Sequence, residues 1–414
     1  MSGIILSAAV RQNLLSLQST ADLLATTQTR LATGKKVNSA LDNPTNFFTA
    51  QGLDNRASDI SNLLDAIGNG VQVLQAANTG ITSLQQLIDT AKSIGNQVLQ
   101  QSSGYSTKAT FQSNAPTGAA PAGVAGTATD LTNAGTNSLQ GQSLVIKTAT
   151  GTTTLTVSNV AGATNFNSIS GLNTLLSNAG IQLTASLNTN GSITFTSTND
   201  AASQVITDTG TYAAPPVTAS SSVDISGGAA FTAGTIVAAV ADPVSQSTRA
   251  SLVAQYNQVI TQINTTAQDS SFNGINLLNG DSLKLVFNET GKSTLTIAGV
   301  TFSATGLGLK SLTAGNDFID NTATNTVLTA LNTASTTLRS QASAFGANLS
   351  VVQIRQDFNK NLINVLQTGS SALTLADTNE EAANSQALST RQSIATSALA
   401  LANQSQANVL QLLR

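Results

Sequence analysis

The amino-acid sequence predicts a mainly α-helical core, made of long antiparallel helices from both termini and one β-hairpin, with an inserted α+β, β-rich outer domain. Three observations predict this class. Apolar residues near both ends recur at the spacing of a coiled coil. Only 9% of the 414 residues are charged, against about 25% in an average soluble domain. In the middle of the chain the hydrophobic period changes to two, which indicates strands.

The N-terminal segment, residues 1–43, predicts one helix over about residues 4–33, followed by a short non-helical connection that we call the spoke (residues 37–42). Gly34 stands where a helix end favours a left-handed residue. The spacing of the predicted seam alternates between four and three residues. The seam consists of Val10, Leu14, Leu17, Ala21, Leu24, Gln28 and Leu31.

Residues 44–101 predict further core helix. Asn43 is a capping residue, and Pro44 suits the first helical position. The apolar stripe that follows is wider than a coiled-coil seam, which favours a helix inside a bundle. We expect a break near Gly52, because glycine is a weak helix former.

Residues 102–243 predict a surface-exposed insert. This segment carries five acidic and two basic residues, whereas the parts before and after it are each balanced in charge. Two hairpin patterns flank one short amphipathic helix, so residues 142–199 predict a ββαββ unit with a small core of its own. Residues 102–141 read as a linker and residues 200–243 as a loop, because both have turn-rich compositions.

Beyond the insert the pattern is helical again, with one hairpin. The predicted divisions are a core helix (about 245–267) and β-hairpin in residues 244–321, a core helix in residues 322–368, and an inner-core helix in residues 369–414 that begins near residue 384. The seam of the last helix includes Leu399, Val409 and Leu413 and repeats the spacing of the first helix. We therefore expect the two ends to pair with each other and with copies of themselves.

The composition disfavours several functions. The sequence contains no Cys, His or Trp, so the usual nucleophile, general base and metal ligands are missing, and we expect neither an enzyme nor a cofactor. The 17 Lys and Arg residues form no basic stripe, which disfavours nucleic-acid binding. No apolar run approaches the about 20 residues of a membrane span, and the N-terminus lacks the basic region of a cleaved signal.

Two further patterns have plain structural interpretations. The sequence Gly291-Lys292-Ser293 resembles the end of a phosphate-binding loop, but Val286 stands where the first glycine belongs, so we predict a hairpin turn. Glu380 and Glu381 are adjacent acids. Because neighbouring side chains on a helix point apart, we interpret them as a solvated helix start rather than a catalytic pair.

Three segments resemble motifs of bacterial flagellin, the filament subunit of the flagellum. The residues concerned are TRLATGKKVNSALDNP (29–44), SFNGINLLNG (271–280) and ANQSQANVLQLLR (402–414), which are similar to the family's spoke, its F-N-G turn and its C-terminal ending. Residues 142–199 also resemble a module of flagellin variable regions and filament-cap proteins. Many family members insert their variable domains after the hairpin, whereas this insert precedes the third helix, so its orientation stays open.

The resemblance implies a structural subunit that polymerises non-covalently into the flagellar filament for swimming, after export through the flagellar type III channel to the cell exterior. It implies as partners further copies of the chain, an export chaperone, and hook-associated and cap proteins. It places the terminal helices in the innermost layer. It also implies spoke and core contacts at Lys36, Asn38, Asp42, Phe272 and Asn273.

Alternatives remain open at this point. One is a hook–filament junction protein, and another is a surface adhesin or glycan receptor built on a flagellin scaffold. The Ser/Thr density of the insert allows O-linked glycans. Gln86 and Ile88 stand near positions where many flagellins that engage the vertebrate toll-like receptor for flagellin carry Arg, so the resemblance implies weak or absent activation of that receptor.

Overall fold

The computed structural model describes residues 8–115, 131–132, 139–160 and 162–412. The helices of this part are α1 (Ala8–Thr33), α2 (Pro44–Gln100), α3 (Ile169–Asn178), α4 (Pro243–Asp269), α5 (Asn321–Thr374) and α6 (Thr378–Leu412). The predicted mainly α core with a β-rich insert is confirmed. The predicted start of the first helix near residue 4 lies outside the described residues. None of the helices in the described ranges combines the length and the apolar content that a bilayer crossing needs.

Strands are concentrated in the insert. They are β1 (Tyr105–Thr107), β2 (Thr110–Gln112), β3 (Ser143–Thr148), β4 (Gly151–Val157), β5 (Asn165–Phe166), β6 (Leu183–Leu187), β7 (Ile193–Ser197), β8 (Val205–Thr207), β9 (Ser222–Gly227), β10 (Thr235–Val237), β11 (Val240–Ala241), β12 (Ser282–Val286) and β13 (Thr294–Ala298). They form a five-stranded sheet of order β5-β4-β3-β9-β8, a four-stranded sheet of order β10-β2-β7-β6, and the pairs β1-β11 and β12-β13. The last pair is the predicted core hairpin.

The insert is more extensively folded than the sequence predicts. The hairpins β3-β4 and β6-β7 of the ββαββ unit belong to different sheets, and strands from outside residues 142–199 complete both sheets. Phe111, for example, is paired with Phe195 on one side and Ile236 on the other. Over the described residues, the predictions of a linker before this unit, a loop after it and a separate small core are therefore wrong. One apolar cluster joins both sheets and α3, and it includes Phe111, Phe195 and Phe231.

Helix α2 continues unbroken for 57 residues, so the predicted break near Gly52 is wrong. Gly52 is exposed, and an added Cβ would meet nothing within 4 Å. A glycine there costs the helix about 1 kcal/mol relative to alanine, and buried neighbours such as Ala50 and Ile60 outweigh that cost. Gly80 has a steric role instead, because a Cβ there would lie 2.2 Å from the Ser270 Oγ.

One compact unit comprises the described residues of 1–72, 284–296 and 349–414. Within it α1 packs along α6. Helices α2 and α5 meet through an apolar cluster of Ala57, Ile60 and Leu366, with Leu53, Leu362 and Ile363 packed against it. Asn359 of α5 is buried and donates from its Nδ2 to the Phe287 carbonyl of the hairpin at 3.0 Å. The hairpin is thereby attached to the helical core.

The other compact unit comprises the described residues of 73–283 and 297–348, so the insert clusters with α4 and with parts of α2 and α5. The turns between β13 and α5 are held on α4 by asparagine side chains. Asn257 accepts from the Leu312 N–H and donates to the Leu312 carbonyl, both at 2.8 Å. Asn264 accepts from the Ala304 N–H at 2.8 Å. These bonds satisfy backbone groups that an irregular segment would otherwise leave unpaired.

The C-terminal helices have other bounds than predicted. Helix α5 continues to Thr374, past the division at residues 368/369, and α6 begins at Thr378 rather than near residue 384. The Ser- and Thr-rich end of α5 has a low helix propensity, but its Thr374 is buried and donates to the Ser370 carbonyl at 2.9 Å. Asp377 then caps α6, because its Oδ1 accepts from the Asn379 N–H at 2.9 Å.

Candidate functional site

The helices α1 and α6 form a paired seam with a regular spacing. On α6 the buried and half-buried positions alternate by four and three residues, and they are Glu381, Ser385, Leu388, Gln392, Ala395, Leu399 and Ala402. On α1 the corresponding positions are Val10, Asn13, Leu17, Thr20, Leu24, Thr27 and Arg30. This is the repeat of a coiled coil, but many of its members are small or polar. The pairing therefore leaves larger apolar side chains elsewhere on both helices.

The predicted seam residues divide between two faces of α1. Val10 is 3% exposed, and Leu17 and Leu24 are half-buried, whereas Leu14 and Leu31 are exposed. Thr20 and Thr27 are buried in their place. This is possible because a threonine hydroxyl can bond within its own helix, as Thr20 Oγ1 does to the Ser16 carbonyl at 2.8 Å.

On the C-terminal side, Leu399 lies on the α6 seam and is half-buried. Val409 belongs to α6, but its side chain lies outside the described residues, as does the whole of Leu413.

One ion pair joins the two terminal helices near the spoke. The Arg30 Nη1 lies 3.2 Å from the Glu381 Oε1. Glu381 is only 8% exposed, so the prediction that both acids at the start of α6 are solvated is wrong for Glu381. Glu380 is exposed as predicted. The sequence pattern could not show this, because the partner lies 351 positions away.

The spoke is fixed by backbone hydrogen bonds and by one carboxylate. The Lys36 N–H donates to the Thr374 carbonyl at 2.7 Å. Asp42 accepts from the Ser39 N–H at 2.8 Å, from the Asn38 N–H at 3.0 Å and from the Ser39 hydroxyl at 3.1 Å. These bonds hold the pKa of Asp42 below its ordinary value of 3.8. The backbone hydrogen bond from Ser39 has the largest effect, followed by that from Asn38. The structure thus brings Asn38 and Asp42 together.

Phe272 and Asn273 belong to a tight turn after α4. Phe272 is 37% exposed and exchanges backbone hydrogen bonds with Ile275, and Asn273 adopts a positive φ of 49°. The residue that holds this turn was missed from the sequence. It is Asn276, which is buried and donates from its Nδ2 to the Ala267 and Gln268 carbonyls at 2.8 Å. Its position in the segment 271–280, which resembles the flagellin turn, was the available signal.

Exposed apolar residues lie on the core helices at coiled-coil spacing. On α5, Val351, Ile354, Phe358 and Val365 are 45%, 66%, 55% and 66% exposed. We call these four residues the α5 stripe; their spacings of three, four and seven place them on one helix face. Leu15 and Leu23 on α1, and Ile394 and Leu401 on α6, are exposed as well. Exposed apolar residues grouped on one helix face are typical of sites of protein association.

A metal site in the described residues would need several ligating side chains close together. Among the described residues, no group of three His, Cys, Asp or Glu side chains lies close enough together to hold a metal ion. The candidate functional site is the exposed apolar surface of the core helices described above, and its chemistry is burial of apolar side chains.

Comparison with known protein families gives two matches, and each includes part of this surface. A model of the bacterial flagellin N-terminal helical region matches residues 5–115. A model of the bacterial flagellin C-terminal helical region matches residues 328–413. These N- and C-terminal parts of the chain are thus similar to the two helical regions of bacterial flagellin. The matched ranges contain α1, α2 and α6 and most of α5, whereas most of the insert and the whole of α4 lie between them.

Curated flagellins are similar over part of their length. Flagellin FljM of Caulobacter vibrioides is 31% identical over 165 residues, which are 39% of this chain and 59% of that relative. Flagellin FljK of the same organism is 30% identical over the same shares. A flagellin of Brucella melitensis is 28% identical over 171 residues, 39% of this chain and 60% of the relative. The match thus spans about three fifths of these flagellins.

Gln86 and Ile88, the two positions compared with receptor-engaging flagellins, differ in exposure. Gln86 is exposed on α2, but Ile88 is fully buried in the core. Of the pair, only Gln86 is therefore accessible on the surface of the single chain. The weak or absent receptor activation expected from these two positions stays a prediction.

Proposed function

We propose that this chain is the structural subunit of a bacterial flagellar filament, in which copies polymerise non-covalently. The observation that carries the proposal is the exposed apolar surface of α1, α5 and α6, which lies within the ranges matched by the flagellin models. Exposed apolar faces at seven-residue spacing are complementary to helices of the same kind. Further copies of the chain are the partner that supplies such helices in quantity.

Burial of apolar side chains supplies the driving force for this polymerisation. At about 25 cal/mol per Å², covering one exposed leucine or phenylalanine contributes roughly 1–3 kcal/mol, and each copy presents many such residues. The low charge of the chain limits repulsion between copies, since only 9% of residues are charged and the net charge is −3. Of the predicted seam residues, Leu14 and Leu31 are exposed and available for such contacts, whereas Val10 is buried and Leu17, Leu24 and Leu399 are half-buried within the single chain.

The flagellin resemblance supplies the rest of the proposal. In this proposal the filament lies outside the cell, and the chain reaches it by type III export. Its partners are an export chaperone, hook-associated proteins and a cap complex. Flagellin FljM and the other similar proteins carry the name flagellin. The insert, residues 102–243, would project outward from the core of the filament.

Seeded polymerisation tests the proposal. Purified full-length chain, mixed with short fragments of its own filaments or with a precipitant to start growth, is expected to form long filaments visible by negative-stain electron microscopy. A chain lacking residues 384–414 is expected to stay monomeric, because it loses most of α6. Globular oligomers from the full chain, or filaments from the truncated chain, would contradict the proposal.

A further inference from the structure

A buried carboxylate stands where the insert meets the core. Asp320 precedes α5 and is 0% exposed. One of its oxygens, Oδ1, accepts from the Ala323 N–H at 3.0 Å and so caps α5. The other, Oδ2, accepts from two loops of the insert: from the Ser203 N–H at 3.1 Å, the Ser203 hydroxyl at 2.5 Å and the Ser220 hydroxyl at 2.5 Å.

Polar side chains of α4 hold the neighbouring backbone in place. Arg249 is 1% exposed and donates to the Ser102 carbonyl, where the insert begins, at 2.7 Å and to the Phe318 carbonyl at 2.9 Å. Gln246 donates to the Gly104 and Ile319 carbonyls at 2.9 and 3.2 Å. The start of the insert and the approach to Asp320 are therefore bound to the same face of α4.

We propose that Asp320 is a latch that fixes the insert on the start of α5, so that the insert and this end of the helix move as one body. The Asp320 latch consists of this carboxylate with Ser203 and Ser220. Charge-assisted hydrogen bonds to a buried carboxylate are among the stronger ones in proteins, and both oxygens are in use. The orientation of the insert on α5, which the sequence left open, is set by this contact. The inference does not depend on filament formation.

The substitution Asp320→Asn tests the latch because an amide has one oxygen where the carboxylate has two. The Ala323 N–H and the Ser203 N–H each need an acceptor, and neither can turn away. If the amide oxygen accepts the Ala323 N–H and so caps α5, the amide NH2 group faces the Ser203 N–H. Both of these groups are donors, so the hydrogen bond from the Ser203 N–H is lost. Asparagine is as good a helix cap as aspartate, so the loss is expected at the insert loops.

Asp224 provides a matched control within the insert. It is also 0% exposed, and its Oδ2 accepts from one backbone N–H and two hydroxyls, those of Thr209 and Thr207. Its Oδ1 has no hydrogen-bond partner. The variant Asp224→Asn can therefore keep all three bonds with its single amide oxygen. Both variants remove one buried negative charge, but only Asp320→Asn breaks a contact between insert and core.

The measurement is hydrogen exchange of the full-length monomer, read by mass spectrometry over residues 198–222. We expect Asp320→Asn to speed exchange there roughly tenfold, the effect of one lost buried hydrogen bond, while Asp224→Asn leaves the Ser203 and Ser220 loops unchanged. A second variant, Ser203→Ala with Ser220→Ala, retains the carboxylate and its cap, and it should give the same result if Asp320→Asn fails to fold. Unchanged exchange in the double variant, or equal exchange in the two Asp→Asn variants, would overturn the proposal.

Discussion

The substitution Phe358→Gln tests whether the α5 stripe is a contact between copies. Phe358 is 55% exposed in the single chain. A phenylalanine buries about 150–250 Å² when fully covered, so about 100 Å² is left for a neighbouring copy. At about 25 cal/mol per Å² its complete burial contributes about 2.5 kcal/mol, and each 1.4 kcal/mol is about a tenfold change in an equilibrium constant. We expect the critical concentration for polymerisation to rise roughly 10- to 100-fold.

The assay is sedimentation of polymer from a dilution series, with the monomer remaining in the supernatant taken as the critical concentration. Glutamine is a better helix former than phenylalanine, so α5 itself should keep its stability, which circular dichroism of the monomer checks. Val217→Gln is the matched control, because Val217 is 75% exposed but lies in the insert. Equal critical concentrations for Phe358→Gln and the unchanged chain would refute a role of the stripe in assembly.

Three further predictions concern stability. Gly80→Ala should lower the free energy of unfolding by about 1–3 kcal/mol through overpacking. Gly52→Ala should raise it by about 0.5–1 kcal/mol, because a Cβ there meets nothing within 4 Å. Thermal denaturation of the two variants compares these effects. Glu381→Gln should weaken the α1–α6 pairing by about 1–2 kcal/mol, seen as faster hydrogen exchange in α6. Glu380→Gln should have a smaller effect, because Glu380 is exposed and only its favourable charge at the helix start is lost. Asp42 has a pKa below its ordinary value of 3.8. Its contribution to the stability of the spoke is therefore complete above pH 3.8 and is lost as the pH falls through the lower pKa of the folded state. Asp42→Asn should remove this acid-induced loosening of the spoke, which hydrogen exchange of the spoke amides measures.

The parts of the fold that were predictable are those with a local, repeated pattern. The seam of α6 repeats every seven residues, and Ala395, Leu399 and Ala402 lie on it as expected. The core hairpin and the helix α4 were found because their period, turn and cap are all local. The stripe of α2 likewise gave buried residues such as Ile81 and Leu84 correctly.

The choice of face on α1 was not predictable, because it depends on the partner helix. Leu14 and Leu31 fit a coiled-coil spacing as well as Thr20 and Thr27 do, and hydrophobicity alone favours the leucines. In the single chain the threonines are buried and the leucines exposed. A second set of partners for this helix is the simplest physical reason for apolar residues on its outer side.

Contacts over long sequence distances account for the remaining differences. The strands β1, β2, β8, β10 and β11 have only two or three residues, too few for a period of two to stand out in a Thr- and Ala-rich segment. The Asp320 latch joins positions 117 and 100 residues apart, and its serines look like any other serine of the insert. Only the folded chain brings these side chains together.

The most direct test of the proposed function is a helical reconstruction of polymer grown from the purified chain by electron cryo-microscopy. We expect α1 and α6 to line the innermost layer, the α5 stripe to lie within about 4.5 Å of apolar atoms of a neighbouring copy, and the insert to face outward. A polymer in which the α5 stripe and the outer leucines of α1 remain in solvent, or in which copies touch only through their inserts, would contradict assembly through the core helices.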